Sequence, residues 1–142
     1  MSKKNYIQLA NKAANIQIRE LKKIKKVFNS SFIDAVDAIM NCKGKVIFSG
    51  VGKNSFICKK AAATFSSVGI PSFFVDPTGV SHGDAGQIEK KDILVVISNS
   101  GNTAELKNLL KFANRFRIKI IGIAANLNSM LIKASNIKIL YP

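Results

Sequence analysis

Apolar residues recur at three- and four-residue steps over residues 5–28, at Ile7, Ala10, Ala14, Ile18, Leu21, Ile24 and Phe28, with lysines between them. That spacing predicts one long helix whose narrow apolar stripe suits another helix, in the same subunit or in a partner. Ser30 and Ser31 break the pattern, and Ser31 with Asp34 reads as a helix entry cap. Ala35, Val36, Ala38, Ile39 and Met40 then predict a second helix, which Asn41–Lys45 ends.

From Lys45 the rhythm becomes strand, loop, helix. Short apolar runs at 46–48, 71–75, 93–97, 119–123 and 137–140 are too brief for helices and predict five strands. Helical patterns lie between them: Phe56–Val68 with Gly69 as its stop, 106–115 with Leu106, Leu109, Leu110 and Ala113, and a short piece at 129–134. Residues 76–87 hold too many turn formers for regular structure, with room for one short helix. Strands apolar on both faces and alternating with helices predict a three-layer α/β fold, a five-stranded parallel sheet of the flavodoxin-like kind preceded by two helices. We expect a single domain over residues 1–142, with 1–44 as the amino-terminal helices and 45–142 as the core.

Composition narrows the class. Apolar residues make up 47% of the 142, so a folded globular chain is expected. No apolar stretch reaches membrane-spanning length, so no membrane partner is expected. Cys42 and Cys58 lack metal-ligand spacing, and one histidine, His82, cannot complete a structural zinc site. They read as reduced thiols of a cytoplasmic protein. The net charge of +14 is densest between Lys3 and Lys26. Clustered basic residues are a footprint of nucleic-acid binding. Here they lie among helix-period apolar positions with no aromatic stacking platform. Compositional bias or a general attraction for small anions accounts for them as well, and no nucleic-acid partner is expected.

The chemistry concentrates where strands end. Ile93–Ile97 breaks into Ser98-Asn99-Ser100-Gly101-Asn102-Thr103 ahead of a helix. Free N–H groups of the helix start, the dipole and the hydroxyls of Ser98, Ser100 and Thr103 would suit a phosphate, with Gly101 allowing close approach. Asn102 followed by Glu105 fits a plain capping box equally well. Ligands of such sheets bind at the carboxyl ends of the strands. Three loops emerge there, at 49–54, 76–87 and 98–103, carrying Lys53, His82 and, just beyond the third, Glu105. Lys53 suits an oxyanion, His82 a proton or hydroxyl, and Glu105 a base. The structural alternatives are a solvated lysine, a histidine tying a turn and a cap. Ser49-Gly-Val-Gly-Lys53 is no P-loop, since Ile47 and Asn54 stand where that motif needs Gly and Ser or Thr. Ser55 breaks the dinucleotide fingerprint that Gly50 and Gly52 begin.

These segments, with Ala61-Ala-Ala-Thr-Phe65, Pro71-Ser-Phe-Phe74, Ser81-His-Gly-Asp84 and Ile97-Ser-Asn-Ser-Gly101, resemble the sugar isomerase (SIS) domain over residues 30–142. The His-Gly-Asp segment is most similar to the arabinose-5-phosphate isomerase group. The resemblance implies an aldose–ketose isomerase interconverting ribulose 5-phosphate and arabinose 5-phosphate through a cis-enediol, on the route to the eight-carbon sugar acid of lipopolysaccharide. It implies catalytic roles for Lys53, His82 and Glu105. It implies a sugar-phosphate site lined by Ser49, Gly52, Gly69, Ile70, Ser98, Asn99, Ser100, Gly101 and Thr103. No cofactor is implied, and a homo-oligomer, dimer or tetramer, is. Asp76 stands where many relatives carry a histidine that can bind metal, so no metal site is expected. Family chains continue past the position of Pro142 with another helix, a further functional histidine and paired cystathionine-β-synthase-type domains, so a truncated chain is expected. A non-catalytic phosphosugar-binding domain is the alternative reading.

Overall fold

The computed structural model describes residues 3–142. Helix α1 (Lys3–Lys23) runs into a 3-10 turn, Ile24–Val27, and α2 follows at Ser30–Met40. Five strands come next: β1 (Val46–Ser49), β2 (Ser72–Phe74), β3 (Ile93–Ile97), β4 (Lys119–Ala124) and β5 (Ile137–Leu140). Helix α3 (Lys53–Ser67) joins β1 to β2, α4 (Leu106–Arg115) joins β3 to β4, and α5 (Met130–Ala134) joins β4 to β5.

All four strand pairs are parallel, in the order β2-β1-β3-β4-β5. The five-stranded parallel α/β architecture is therefore as the sequence pattern implies. Successive strand residues point to opposite faces, so each strand feeds two cores. Ile47, Leu94, Val96 and Ile120 meet Leu106, Leu109, Leu131 and Ile132 of α4 and α5 on one side. Val46, Phe48, Val95 and Ile121 meet Ala35, Cys58 and Ala62 of α2 and α3 on the other. Burial pushes the Cys58 thiol up to about 11, so it packs as a neutral hydrophobe.

Several boundaries differ from expectation. The cap of α2 is Asn29, whose side chain accepts from the Ser31 N–H at 2.9 Å, and not Ser31 with Asp34. Asn29 has extended backbone and so sits where a cap must. Helix α3 begins at Lys53, three residues before the apolar pattern starts, because Gly52 already turns the chain. Residues 76–87 contain two 3-10 turns, Gly79–His82 and Asp84–Gln87, in place of one short helix. Among the described residues the stripe of α1 is left uncovered in its own subunit, every residue from Tyr6 to Lys26 being exposed. Among the described residues no helix is long and apolar enough to cross a membrane.

Candidate functional site

β1 sends its connection to β2 on one side of it, while β3, β4 and β5 lie on the other side. The strand order thus reverses between β1 and β3, and the loops after these two strands flank the crevice where such sheets take ligands. Ser49 and Val96 are register partners, so residues 50–53 and 98–105 leave the sheet side by side.

The second loop is shaped by its own small side chains. The Ser98 and Thr103 hydroxyls bond each other at 3.0 Å, and the Gly101 N–H donates to Ser98 Oγ at 3.1 Å. Gly101 adopts φ 66°, and a Cβ there would collide with the Ser129 side chain, so both conformation and space demand glycine. The Asn102 N–H donates to Ser100 Oγ at 3.2 Å. Among the described residues, the N–H groups of Ser100, Thr103, Ala104 and Glu105 have no acceptor within the chain. Three of these donors, on Thr103, Ala104 and Glu105, lead directly into α4, and Ser100 adds its N–H and exposed hydroxyl earlier in the loop, an arrangement that suits an anion.

The capping-box reading of this loop does not hold. Glu105 makes no side-chain cap bond. Asn102 Oδ1 instead accepts from the Met130 N–H at 2.8 Å, and the Leu131 N–H donates to the Gly101 carbonyl at 2.9 Å. The loop is fastened to the start of α5, which leaves the Glu105 carboxylate exposed and uncommitted.

Lys53 opens α3 on the neighbouring loop, directly after Gly52, and is exposed. His82 closes the 3-10 turn Gly79–His82, also exposed. Ser81 beside it accepts from Asn108 Nδ2 at 2.9 Å, and Asn108 lies three residues after Glu105 on α4. Residues three apart share a helix face, so this bond brings the histidine turn alongside Glu105. Asp76 is occupied by Thr78, whose N–H and hydroxyl both donate to Oδ1 (2.9 and 2.8 Å). Those two bonds hold its carboxyl below the usual range. Among the described residues, no three His, Cys, Asp or Glu side chains come together as a metal site would require.

Three expected contacts fall elsewhere. Ser49 is fully buried and donates to the Val75 carbonyl at 2.9 Å, so its hydroxyl braces β1 against the end of β2. Gly69, at φ 86°, ends α3 ahead of β2 with Ile70, at the amino edge of the sheet. That is the opposite edge from Lys53, about 13 Å away along a four-residue strand. Ile70 packs in the α2–α3 core. A cleft of about 670 Å³ opens at this same amino edge, lined by Asp37, Cys42, Lys91, Arg117 and Lys119, away from the three chemical groups.

Comparison with known proteins places these observations. Residues 39–142 match the SIS domain family. The arabinose 5-phosphate isomerase of Francisella tularensis is 39% identical over 140 residues, covering 96% of this chain and 43% of that protein. That of Escherichia coli K12 is 34% identical over 133 residues, covering 94% and 40%. A solved structure from E. coli CFT073, in complex with arabinose 5-phosphate, shares 35% identity with a TM-score of 0.87 over 100% of this chain and 76% of its own. The chain spans about two fifths of the length of the curated relatives it matches.

Proposed function

This chain belongs to the SIS domain family, and on that premise we propose that it binds a sugar phosphate at the β1–β3 crevice and interconverts D-ribulose 5-phosphate and D-arabinose 5-phosphate. The observation that carries the reading is the run of free N–H groups at Thr103, Ala104 and Glu105 leading into α4, with that of Ser100 in the same loop, next to an uncommitted Glu105 carboxylate. The phosphate sits on that run with Ser100 and Asn99, and Gly52 and Lys53 face it from the adjoining loop. Phosphate binding then places C1 and C2 of the sugar over the three chemical groups.

In the proposed reaction the Glu105 carboxylate takes the proton from C2 of the aldose. The C–H electron pair forms the C1–C2 double bond as the carbonyl oxygen becomes an oxyanion. The Lys53 ammonium and His82 hydrogen-bond that oxygen and help move its proton, giving a cis-enediol. Glu105 then returns its proton to C1 while the C2 hydroxyl gives its own proton back through His82 or Lys53 and becomes the ketose carbonyl. The basic surface of the chain suits substrate and enediolate alike, both of them anions.

A single chain leaves Lys53, His82, Ser100 and Glu105 all exposed, and exclusion of water is left to further protein. We assign that role to a homo-oligomer, dimer or tetramer, in the cytoplasm. Apolar side chains that a partner would cover run along α1 and onto Phe28, Ile33, Met40 and Phe56.

The test is interconversion of the two pentose phosphates by this chain beside Glu105→Gln. Glu105→Gln is expected to lower turnover at least about a hundredfold with little change in substrate binding. Saturable binding without turnover in the unmodified chain would assign the non-catalytic phosphosugar-binding reading, which the openness of the site in one subunit favours. Neither binding nor turnover would overturn both.

A further inference from the structure

Tyr141 follows β5, and its N–H extends that strand's ladder by donating to the Ala124 carbonyl at 3.2 Å. Its side chain reaches back over the end of β4, and the hydroxyl donates to Asn99 Oδ1 at 2.8 Å. β3 and β5 are not neighbours, so this bond spans the intervening strand, across about 10 Å of sheet.

Asn99 lies in the candidate phosphate turn. Its carbonyl accepts from the Ala125 N–H at 3.0 Å, which fixes the backbone, and Tyr141 takes its side-chain oxygen. Among the described residues its Nδ2 group has no acceptor. A carboxamide has nearly identical oxygen and nitrogen branches, so without a directing partner it presents either one to a ligand. An oxygen turned toward a phosphate would repel it; two N–H donors attract it.

We propose that Tyr141 is a positioning residue for the phosphate site: by holding Asn99 Oδ1 at the sheet's carboxyl end, it leaves the Nδ2 donors as the branch presented to a sugar phosphate. The inference rests on the phosphate-binding reading of residues 98–103. Burial pushes the Tyr141 hydroxyl above its ordinary titration range.

The experiment is a double-mutant cycle read by calorimetric titration with arabinose 5-phosphate, using the unmodified chain, Tyr141→Phe, Asn99→Ala and the pair. The Asn99 side-chain amide is followed by ¹⁵N NMR in the first two. Tyr141→Phe keeps the ring, and thermal unfolding checks that the fold is intact. Expected is a three- to tenfold weaker Kd for Tyr141→Phe and no further loss when it is added to Asn99→Ala. The Asn99 amide resonances should move on ligand addition in the unmodified chain and less in Tyr141→Phe. Unchanged affinity in Tyr141→Phe, or an equal loss with Asn99 already removed, would overturn the inference and leave the proposed function standing. No binding of arabinose 5-phosphate by the unmodified chain would overturn both.

Discussion

Among single residues, Asp92 is a buried carboxylate wholly committed to the fold. It is 1% exposed, and each carboxylate oxygen accepts a backbone N–H, from Lys45 at 2.7 Å and from Glu89 at 2.8 Å. The Lys45 ammonium stands 3.7 Å away. These bonds tie the entrance of β1 to the entrance of β3, the two strands that later flank the crevice. Asp92→Ala removes both acceptors and leaves two amides without partners near the core. We expect a loss of about 2–4 kcal/mol in chemical denaturation, the cost of two unsatisfied donors. A loss below about 1 kcal/mol would mean that solvent reaches those amides.

At the level of elements, the segment 98–105 and helix α5 act as one unit. Asn102 Oδ1 caps the Met130 amide, Ser129 Oγ accepts from the Ile132 N–H at 3.4 Å, and the Gly101 carbonyl accepts from Leu131. A five-residue helix is too short to persist by itself, so these bonds and its buried Leu131 and Ile132 sustain it. Asn102→Ala is expected to cost about 1 kcal/mol, as loss of a cap does. Faster hydrogen exchange at the Met130 amide should accompany it, together with weaker sugar-phosphate binding as the cradle loosens. Unchanged exchange at Met130 would show that α5 is held by packing alone. The residue pattern reads Asn102 as the cap of α4, three before Glu105. The structure uses it 28 residues away, because the capping oxygen serves whichever unpaired amide the packing brings closest.

For the whole molecule, α1 is the element that the subunit does not use. Ile7, Ile18 and Leu21 are 65%, 53% and 65% exposed, and among the described residues none of the helix joins either core. In the proposed assembly this stripe is covered by another copy. Leu21→Glu is therefore expected to weaken self-association at least tenfold in sedimentation velocity, while far-ultraviolet circular dichroism and thermal unfolding of the core stay unchanged. Equal association in the two proteins would remove α1 from the interface.

Local pattern determined the architecture. Apolar runs of four to six residues separated by helical periods leave a parallel sheet with helices on both faces as the simplest solution, and the observed order β2-β1-β3-β4-β5 follows it. It also brought Lys53, Glu105 and Gly101 of the candidate phosphate turn to one edge, since each lies in the segment between a strand's carboxyl end and the first turn of the next helix. What only the tertiary structure decided is how the polar side chains of these loops are used. Ser49 turns its hydroxyl to Val75, Asn102 to α5, and Asn99 to Tyr141. Gly69 and Ile70 fall at the far edge because a parallel crossover must return the chain to where the strands begin. Periodicity reports which face of an element is buried. A hydrogen bond between residues 42 apart depends on where two strands end in space, and no repeat along the chain encodes that distance.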